Sequence, residues 1–170
     1  MKPNRPVVGI LMGSESDLAV MADTAKALAE FGVPCEMTVA SAHRSPRRVE
    51  RYAASAERRG VKVLIAGAGG AAHLAGVLAS LTTLPVIAVP LASSPLVGFD
   101  ALLAAVQMPP GIPVAVTSVG AWGARNAAVL AVQILAVADP SLRKKLLAHR
   151  TRMAREIERQ AKRVEAAPRS

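Results

Sequence analysis

The sequence predicts one α/β domain over residues 1–170, in which helices cover both faces of a parallel five-stranded sheet. Short aliphatic runs alternate with helical stretches in the order βαβαβαβαβα, and one more helix follows. Hydrophobic residues make up 52% but aromatic residues only 2%. The core must therefore consist of Ala, Val, Leu and Ile, which suits a parallel sheet between closely packed helices. We expect a three-layer αβα sandwich with its core at about residues 7–138.

The chain begins with two strand–helix units. Residues 7–12 form a short aliphatic run that predicts a buried first strand, and a helical stretch follows at 18–31. Residues 35–40 predict the second strand. An amphipathic helix with a basic outer face is expected at 47–59, with Ser45 as its cap and a proline in its first turn.

The third unit contains the stretch VLIAGAGGAAHLAG at residues 63–76. Residues 61–66 predict the third strand, and Gly67, Gly69 and Gly70 predict a sharp turn before a helix begins. A strand, a glycine turn and a helix start form a ligand site in many open α/β sheets. The alternative is that the glycines only allow the helix to pack tightly against the sheet.

The remaining elements repeat the alternation. Residues 85–89 and 114–117 predict the last two strands, with a proline-containing loop after the first of them. Helices are expected at 99–106 and 124–138, and the extra C-terminal helix at about 140–164.

The basic residues are concentrated at the end of the chain. Residues 141–170 hold ten Lys or Arg and three Glu, a net charge of +7 out of +9 for the whole chain. Such a tail can bind nucleic acid or an acidic membrane. Because it has few aromatic residues and its charges lie along an amphipathic helix, we interpret it as a solvated helix face. We expect no nucleic-acid or membrane partner.

The middle of the chain is nearly uncharged. Between residues 63 and 124 the only formally charged side chain is Asp100. Glycines and prolines interrupt this segment before it could form a membrane-spanning helix. Its apolar surface would leave large patches on a monomer, so we expect burial between identical subunits. The N-terminal residues do not resemble a signal peptide, and we expect a cytoplasmic protein.

Polar or glycine-rich turns follow the first three strands. The first turn has Ser14 and Asp17, the second has His43 and Arg44, and the third ends in His73. Because the carboxyl ends of parallel strands meet at one rim, these turns should converge. Arg44 offers a planar fork for phosphate or carboxylate, and His43 can exchange protons near neutral pH. The pattern favours a small phosphorylated ligand and proton-transfer chemistry.

Other interpretations of these turns remain open. Ser16 or Asp17 could simply cap the following helix, and a flavodoxin-like binding module without catalysis could have the same rim. The chain lacks metal-ligand spacing, a GxSxG elbow and a GxxxxGK[ST] loop, and its one cysteine, Cys35, lies in a predicted strand. We therefore expect no metal site and no covalent nucleophile.

Five motifs stand out along the chain: MGSESD at 12–17, SAHRSP at 41–46, AGAGGAAHL at 66–74, VQMPPGIPVA at 106–115 and GARNAA at 123–128. Together they resemble the class I N5-carboxyaminoimidazole ribonucleotide mutases of purine biosynthesis. The resemblance covers about residues 7–138 and implies a flavodoxin-like fold, a homo-octamer with sites at subunit junctions, and no metal or organic cofactor. It also implies conversion of N5-carboxyaminoimidazole ribonucleotide to 4-carboxyaminoimidazole ribonucleotide.

The resemblance also implies roles for individual residues. His43 would be the general acid and base, Ser14 and Arg44 would bind the phosphate, Asp17 would accept from the ribose hydroxyls, and His73 would border the CO2 pocket. The other substrate-binding positions would be Gly13, Ser41, Ala42, Gly69, Ala71 and Leu74.

Two rival functions remain. One is the class II reaction, which carboxylates aminoimidazole ribonucleotide directly with CO2; the glycine turn that ends in His73 favours class I. The other is a non-catalytic nucleotide-binding module. The chain departs from the class I pattern at Ala75, where the family usually has proline, and at Trp122, where small residues are usual.

Overall fold

Five parallel strands form the centre of the molecule, which is described by a computed structural model over residues 5–166. The order across the sheet is β2-β1-β3-β4-β5, and every neighbouring pair is parallel. This is the flavodoxin-like order, so the predicted fold class is confirmed. The strands are β1 (Val8–Met12), β2 (Cys35–Val39), β3 (Val63–Gly69), β4 (Val86–Leu91) and β5 (Ala115–Val116).

In the described part of the chain, six helices cover the two faces of the sheet. A short 3-10 turn at Glu15–Asp17 precedes the first of them. One hydrophobic cluster joins the sheet to the first, fifth and sixth helices, and a second cluster joins the opposite face to the other three. The helices are α1 (Leu18–Glu30), α2 (Pro46–Arg59), α3 (Leu74–Leu81), α4 (Phe99–Val106), α5 (Ala121–Ala136) and α6 (Pro140–Glu165).

The near absence of aromatic residues is compensated by a stripe of alanines on α5. Ala124, Ala127, Ala128 and Ala131 are fully buried and recur at three- and four-residue intervals. Their small side chains let α5 approach α1, where the buried hydroxyl of Thr24 donates to the carbonyl oxygen of Ala124 at 3.0 Å. The helix layers therefore pack closely without large side chains.

Two strands are longer than predicted. β3 continues to Gly69, so Gly67 and Gly69 belong to the strand and only Gly70, with φ +57°, adopts the left-handed conformation of a turn. A Cβ on Gly67 would collide with the thioether of Met21, which explains a glycine inside a strand. The predicted turn therefore begins three residues later.

β4 includes Pro90, which the sequence placed in a loop. A proline has no backbone N–H to donate to a neighbouring strand, and for that reason it is rare in central strands, which have a neighbour on each side. Here β5 ends at Val116, opposite Ala88, and the carbonyl of Pro90 accepts from Gly120 on that same side. Since no strand lies beside Pro90 there, its missing donor costs no ladder hydrogen bond.

Smaller differences concern the ends of elements. β5 has only two residues instead of four, and α5 begins at Ala121 instead of 124 and ends at Ala136 instead of 138. Within residues 5–166, no helix is both long enough and apolar enough to cross a bilayer. The single-domain prediction over the whole chain stays a prediction, and residues 1–4 and 167–170 lie outside the described residues.

Candidate active site

The carboxyl ends of β1, β2 and β3 open onto one cavity of about 390 Å³. The sheet register explains this convergence, because Met12 at the end of β1 is paired with Val39 on one side and Gly67 on the other. All eleven residues predicted for the site line the cavity: Gly13, Ser14, Asp17, Ser41, Ala42, His43, Arg44, Gly69, Ala71, His73 and Leu74.

The turn after β1 is fixed by reciprocal hydrogen bonds. The backbone N–H of Ser14 donates to Oδ2 of Asp17 at 3.1 Å, and the hydroxyl of Ser14 accepts from the N–H and hydroxyl of Ser16. This is the capping box of the short 3-10 turn, and its cap is Ser14. The prediction that Ser16 or Asp17 caps the following helix is wrong, because Asp17 precedes α1 but its side chain makes no capping bond to that helix. Oδ1 of Asp17 accepts no hydrogen bond from residues 5–166 and is available to a ligand.

Asp17 is only 7% exposed. This burial raises the pKa of its carboxyl and outweighs the N–H of Ser14 and the positive charge of Arg44, which both favour the ionised form. A ligand hydroxyl that donated to Oδ1 would stabilise the charge further. The protein thus holds the carboxylate in a fixed orientation, and its Oδ1 can still accept a hydrogen bond from a ligand.

The turn after β2 places Arg44 in the lining of the cavity. Its Nη2 donates to the carbonyl oxygen of Gly13 at 2.7 Å, and its Nε donates to Oγ of Ser41 at 3.4 Å. These bonds fasten the second turn to the first and leave Nη1 without a partner in the described part of the chain. The guanidinium can therefore bind an anion with N–H groups whose direction is already set.

Ser45 differs from its predicted role. It occupies the position before α2, but its side chain makes no capping bond to that helix. Its hydroxyl instead accepts from the N–H of Ser41 at 3.0 Å and donates to the carbonyl of Ser41 at 3.2 Å. The bonds close the loop on itself, which makes the segment that contains His43 and Arg44 a rigid unit.

The two histidines of the cavity are hydrogen-bonded to each other. Nε2 of His43 lies 2.8 Å from Nδ1 of His73, and the two rings meet edge to face with centroids 4.9 Å apart. One of these nitrogens must carry the proton that the other accepts. Both side chains are exposed in the single chain. The resemblance implied that His73 borders the CO2 pocket, and the structure places its ring against that of His43.

Ser93 also lines the cavity, and the sequence analysis did not identify it. It lies in the loop after β4, next to Gly69. A Cβ on Gly69 would collide with the hydroxyl of Ser93 and lie 2.9 Å from the carbonyl oxygen of Leu91. The signal that could have found Ser93 is the Ser-Ser-Pro sequence after a fourth strand on the same rim. Ser16 and Ala68 are the other lining residues that were missed.

Residues 5–166 contain no group of three or more His, Cys, Asp or Glu side chains that could hold a metal ion. Cys35 is half-buried in β2, where burial raises the pKa of its thiol, and it does not line the cavity. The polar groups of the cavity are thus hydroxyls, one carboxylate, one guanidinium and two imidazoles, which suits binding of a polar anion and proton transfer.

Comparisons with known proteins agree with this arrangement. The family model for AIR carboxylase matches residues 7–156. The N5-carboxyaminoimidazole ribonucleotide mutase of Pyrococcus horikoshii is 54% identical over 165 residues, which cover 97% of this chain and 92% of the relative. The protein of the same name from Bacillus subtilis is 55% identical, over 84% of this chain and 88% of its own length. The crystal structure of Treponema denticola PurE superposes with a TM-score of 0.85 at 28% identity and covers 94% of this chain and 98% of that one.

Proposed function

The chain belongs to the AIR carboxylase family, and we propose that it converts N5-carboxyaminoimidazole ribonucleotide to 4-carboxyaminoimidazole ribonucleotide in purine biosynthesis. The observation that supports this most is the meeting of His43 with Arg44, Asp17 and His73 around one cavity. Its volume of about 390 Å³ falls in the range of small-molecule sites. We also propose that it acts in the cytoplasm.

The proposed substrate is held at its two polar ends. Arg44, together with the hydroxyl of Ser14, binds the 5′-phosphate, and Oδ1 of Asp17 accepts from the ribose hydroxyls. This assignment leaves the imidazole base near Ser41, Ala42 and the wall formed by Gly69, Ala71 and Leu74. That wall presents backbone and small side chains, so the base and its carboxylate can lie close to the main chain.

One imidazole is sufficient for both proton transfers. As the bond between N5 and the carboxyl carbon breaks, protonated His43 gives a proton to N5, and CO2 and aminoimidazole ribonucleotide form. The ring carbon C4 then attacks CO2, and neutral His43 removes the proton from C4, which restores aromaticity. His43 ends in the protonation state in which it began, and no other acid or base is required.

The hydrogen bond to His73 determines which nitrogen of His43 does this work. Nε2 of His43 faces Nδ1 of His73 at 2.8 Å. When His43 is protonated, its Nε2–H donates to Nδ1 of His73, and its Nδ1–H is left for the substrate. This requires the tautomer of His73 that carries its proton on Nε2. His73 thereby holds the ring of His43 in one orientation through both proton transfers.

We also propose a homo-oligomer, an octamer as the resemblance implies. Several large apolar side chains in and near α4 lie in solvent in the single chain, among them Phe99 at 63% exposure. Trp122 in the first turn of α5 is 80% exposed. Leu96, Val97 and Val106 are exposed in the same region. Such patches are unusual on monomers. Light scattering after gel filtration should give a mass near that of eight subunits. A stable monomer of 17.6 kDa would contradict the proposal.

The direct test is turnover of freshly prepared N5-carboxyaminoimidazole ribonucleotide, followed through formation of 4-carboxyaminoimidazole ribonucleotide. His43→Asn should lower kcat by about 10²–10⁴-fold, as loss of a general acid–base group does, and should still bind aminoimidazole ribonucleotide. A parent protein that uses only aminoimidazole ribonucleotide with bicarbonate would identify the class II reaction instead. A parent that binds the nucleotide without any turnover would identify a binding module.

A further inference from the structure

Four arginines surround a shallow depression beside the cavity, at the amino-terminal end of α2. The depression has a volume of about 440 Å³ and is lined by Arg44, Ser45, Pro46, Arg47, Arg48 and Arg51. Arg44 borders both this depression and the site cavity. The two spaces are therefore adjacent, and an anion in one lies close to the other.

The charge of this cluster is only partly offset within the described part of the chain, by Glu50 on the same helix and by the carboxylate of Asp17 near Arg44. None of the four arginines forms an ion pair there. Arg48 donates instead to the carbonyl oxygen of Val39 at 2.8 Å and to the hydroxyl of Thr38 at 2.9 Å, and Arg44 also donates to neutral oxygens. The amino-terminal end of the helix adds its own positive potential.

The other end of the same helix is different. Arg59 in the last turn pairs with Glu36 of β2, whose carboxylate also accepts from Tyr52. Like charges placed together without partners repel one another, which destabilises the fold slightly. A solvated helix face does not require such an arrangement at the end nearest the site. The distribution along α2 therefore points to a ligand of opposite charge.

We propose that this arginine cluster is an outer recognition surface for the anionic substrate, and that Arg47 and Arg51 determine the preference of the site for multiply charged ligands. The inference rests on the proposed function, in which the substrate carries a phosphate and a carboxylate. Arg47 and Arg51 are exposed and do not line the inner cavity. They act at a distance, by raising the local concentration of the anion and strengthening its binding.

A long-range effect of this kind depends on ionic strength, because salt screens charges over about 30 Å at 10 mM but over only a few ångströms at 500 mM. Replacing both Arg47 and Arg51 with Gln should therefore raise KM by about five- to tenfold at 10 mM salt and by less than about twofold at 500 mM. The value of kcat should not change, since neither side chain reaches the reacting atoms.

The matched control removes two positive charges beyond the cluster, one from the last turn of α2 and one from the loop that follows it. Arg58→Gln with Lys62→Gln makes the same change in net charge, and Arg58 lies about 15 Å along the helix axis from Arg47. Both control side chains are exposed. This variant should change KM by less than about twofold at either salt concentration. An equal effect in the control, an unchanged KM in the cluster variant, or an effect that persists at 500 mM salt would each overturn the inference.

A binding measurement separates this inference from the proposed reaction. The affinities of ribose 5-phosphate and of uncharged ribose are measured by calorimetry for the parent and both variants. The cluster variant should lose affinity for ribose 5-phosphate at low salt, and ribose binding should not change. A parent protein without turnover would refute the proposed function. The binding measurement would still test whether the arginine cluster recognises the anion. Loss of affinity for both ligands would refute the recognition role.

Discussion

The hydrogen bond between the two histidines allows a sharp test of the catalytic assignment, with two substitutions at His73. His73→Phe keeps a ring next to His43 but removes the partner of Nε2. His73→Asn places an amide oxygen near the position of Nδ1 and can still accept from His43. The bond, at 2.8 Å, joins two exposed side chains. Net contributions are about 0.5–1.5 kcal/mol for neutral partners and about 1.5–3 kcal/mol when one is charged.

His43 alternates between charged and neutral forms in the proposed cycle. The stabilisation from its hydrogen bond to His73 therefore differs by about 1 kcal/mol between the two forms. A difference of this size, together with lost orientation, corresponds to roughly a tenfold decrease in rate. We therefore expect His73→Phe to lower kcat about tenfold and His73→Asn to lower it no more than about threefold.

The assay is the initial rate of formation of 4-carboxyaminoimidazole ribonucleotide at saturating substrate, with KM measured in parallel. Unchanged thermal unfolding of both variants serves as the control for folding. KM should remain within about twofold of the parent, because the bond does not involve the phosphate or the ribose. Equal losses of kcat in the two variants, or full activity of His73→Phe, would refute the positioning role of His73.

Three further predictions concern the walls of the cavity and the β2 edge. Arg44→Lys cannot bind Gly13 and a phosphate with one planar group, and we expect KM to rise about tenfold or more in steady-state kinetics, with kcat less affected. Gly69→Ala forces a Cβ against Ser93, and we expect calorimetry to show a loss of about 1–3 kcal/mol in unfolding free energy together with a weaker substrate affinity. For Glu36, burial opposes ionisation, but hydrogen bonds from neighbouring side chains prevail and lower its pKa. The stabilisation from its ionised form is therefore fully present above the unfolded pKa of about 4.3 and is lost as pH falls through the lower folded pKa. The urea midpoint of Glu36→Gln should lie below that of the parent at pH 7 and approach it at pH 3.

The convergence of the polar turns on one cavity could be predicted from the sequence because it depends on strand ends. A parallel sheet brings the carboxyl ends of its strands to one rim whatever the exact length of each strand. The polar turns that contain Asp17, His43 and His73 each follow a recognisable aliphatic run, so an error of two or three residues in a boundary does not separate them. The register at Met12 places these turns side by side.

The local conformations could not be predicted, because distant residues determine them. Gly67 looks like a turn residue in the sequence but lies in a strand, beneath the side chain of Met21. The hydroxyl of Ser45 was expected to cap its helix but binds Ser41 instead. Ser93 enters the cavity only because Gly69 leaves room for it. In each case a contact between segments overrides the local preference of the chain, and one sequence does not show which contacts form.

The exposure of the site residues separates two requirements of the proposed reaction. Asp17 is buried and fixed by its capping box, whereas His43 and His73 lie at an open wall of the single chain. Nucleotide binding needs only the first kind of residue, but trapped CO2 needs a closed pocket from which it cannot diffuse. If a second subunit supplies the missing wall, a variant that no longer assembles should still bind the nucleotide. It should then release aminoimidazole ribonucleotide and CO2 from the substrate instead of completing the transfer, and a monomeric variant with normal product yield would show that one chain closes the pocket by itself.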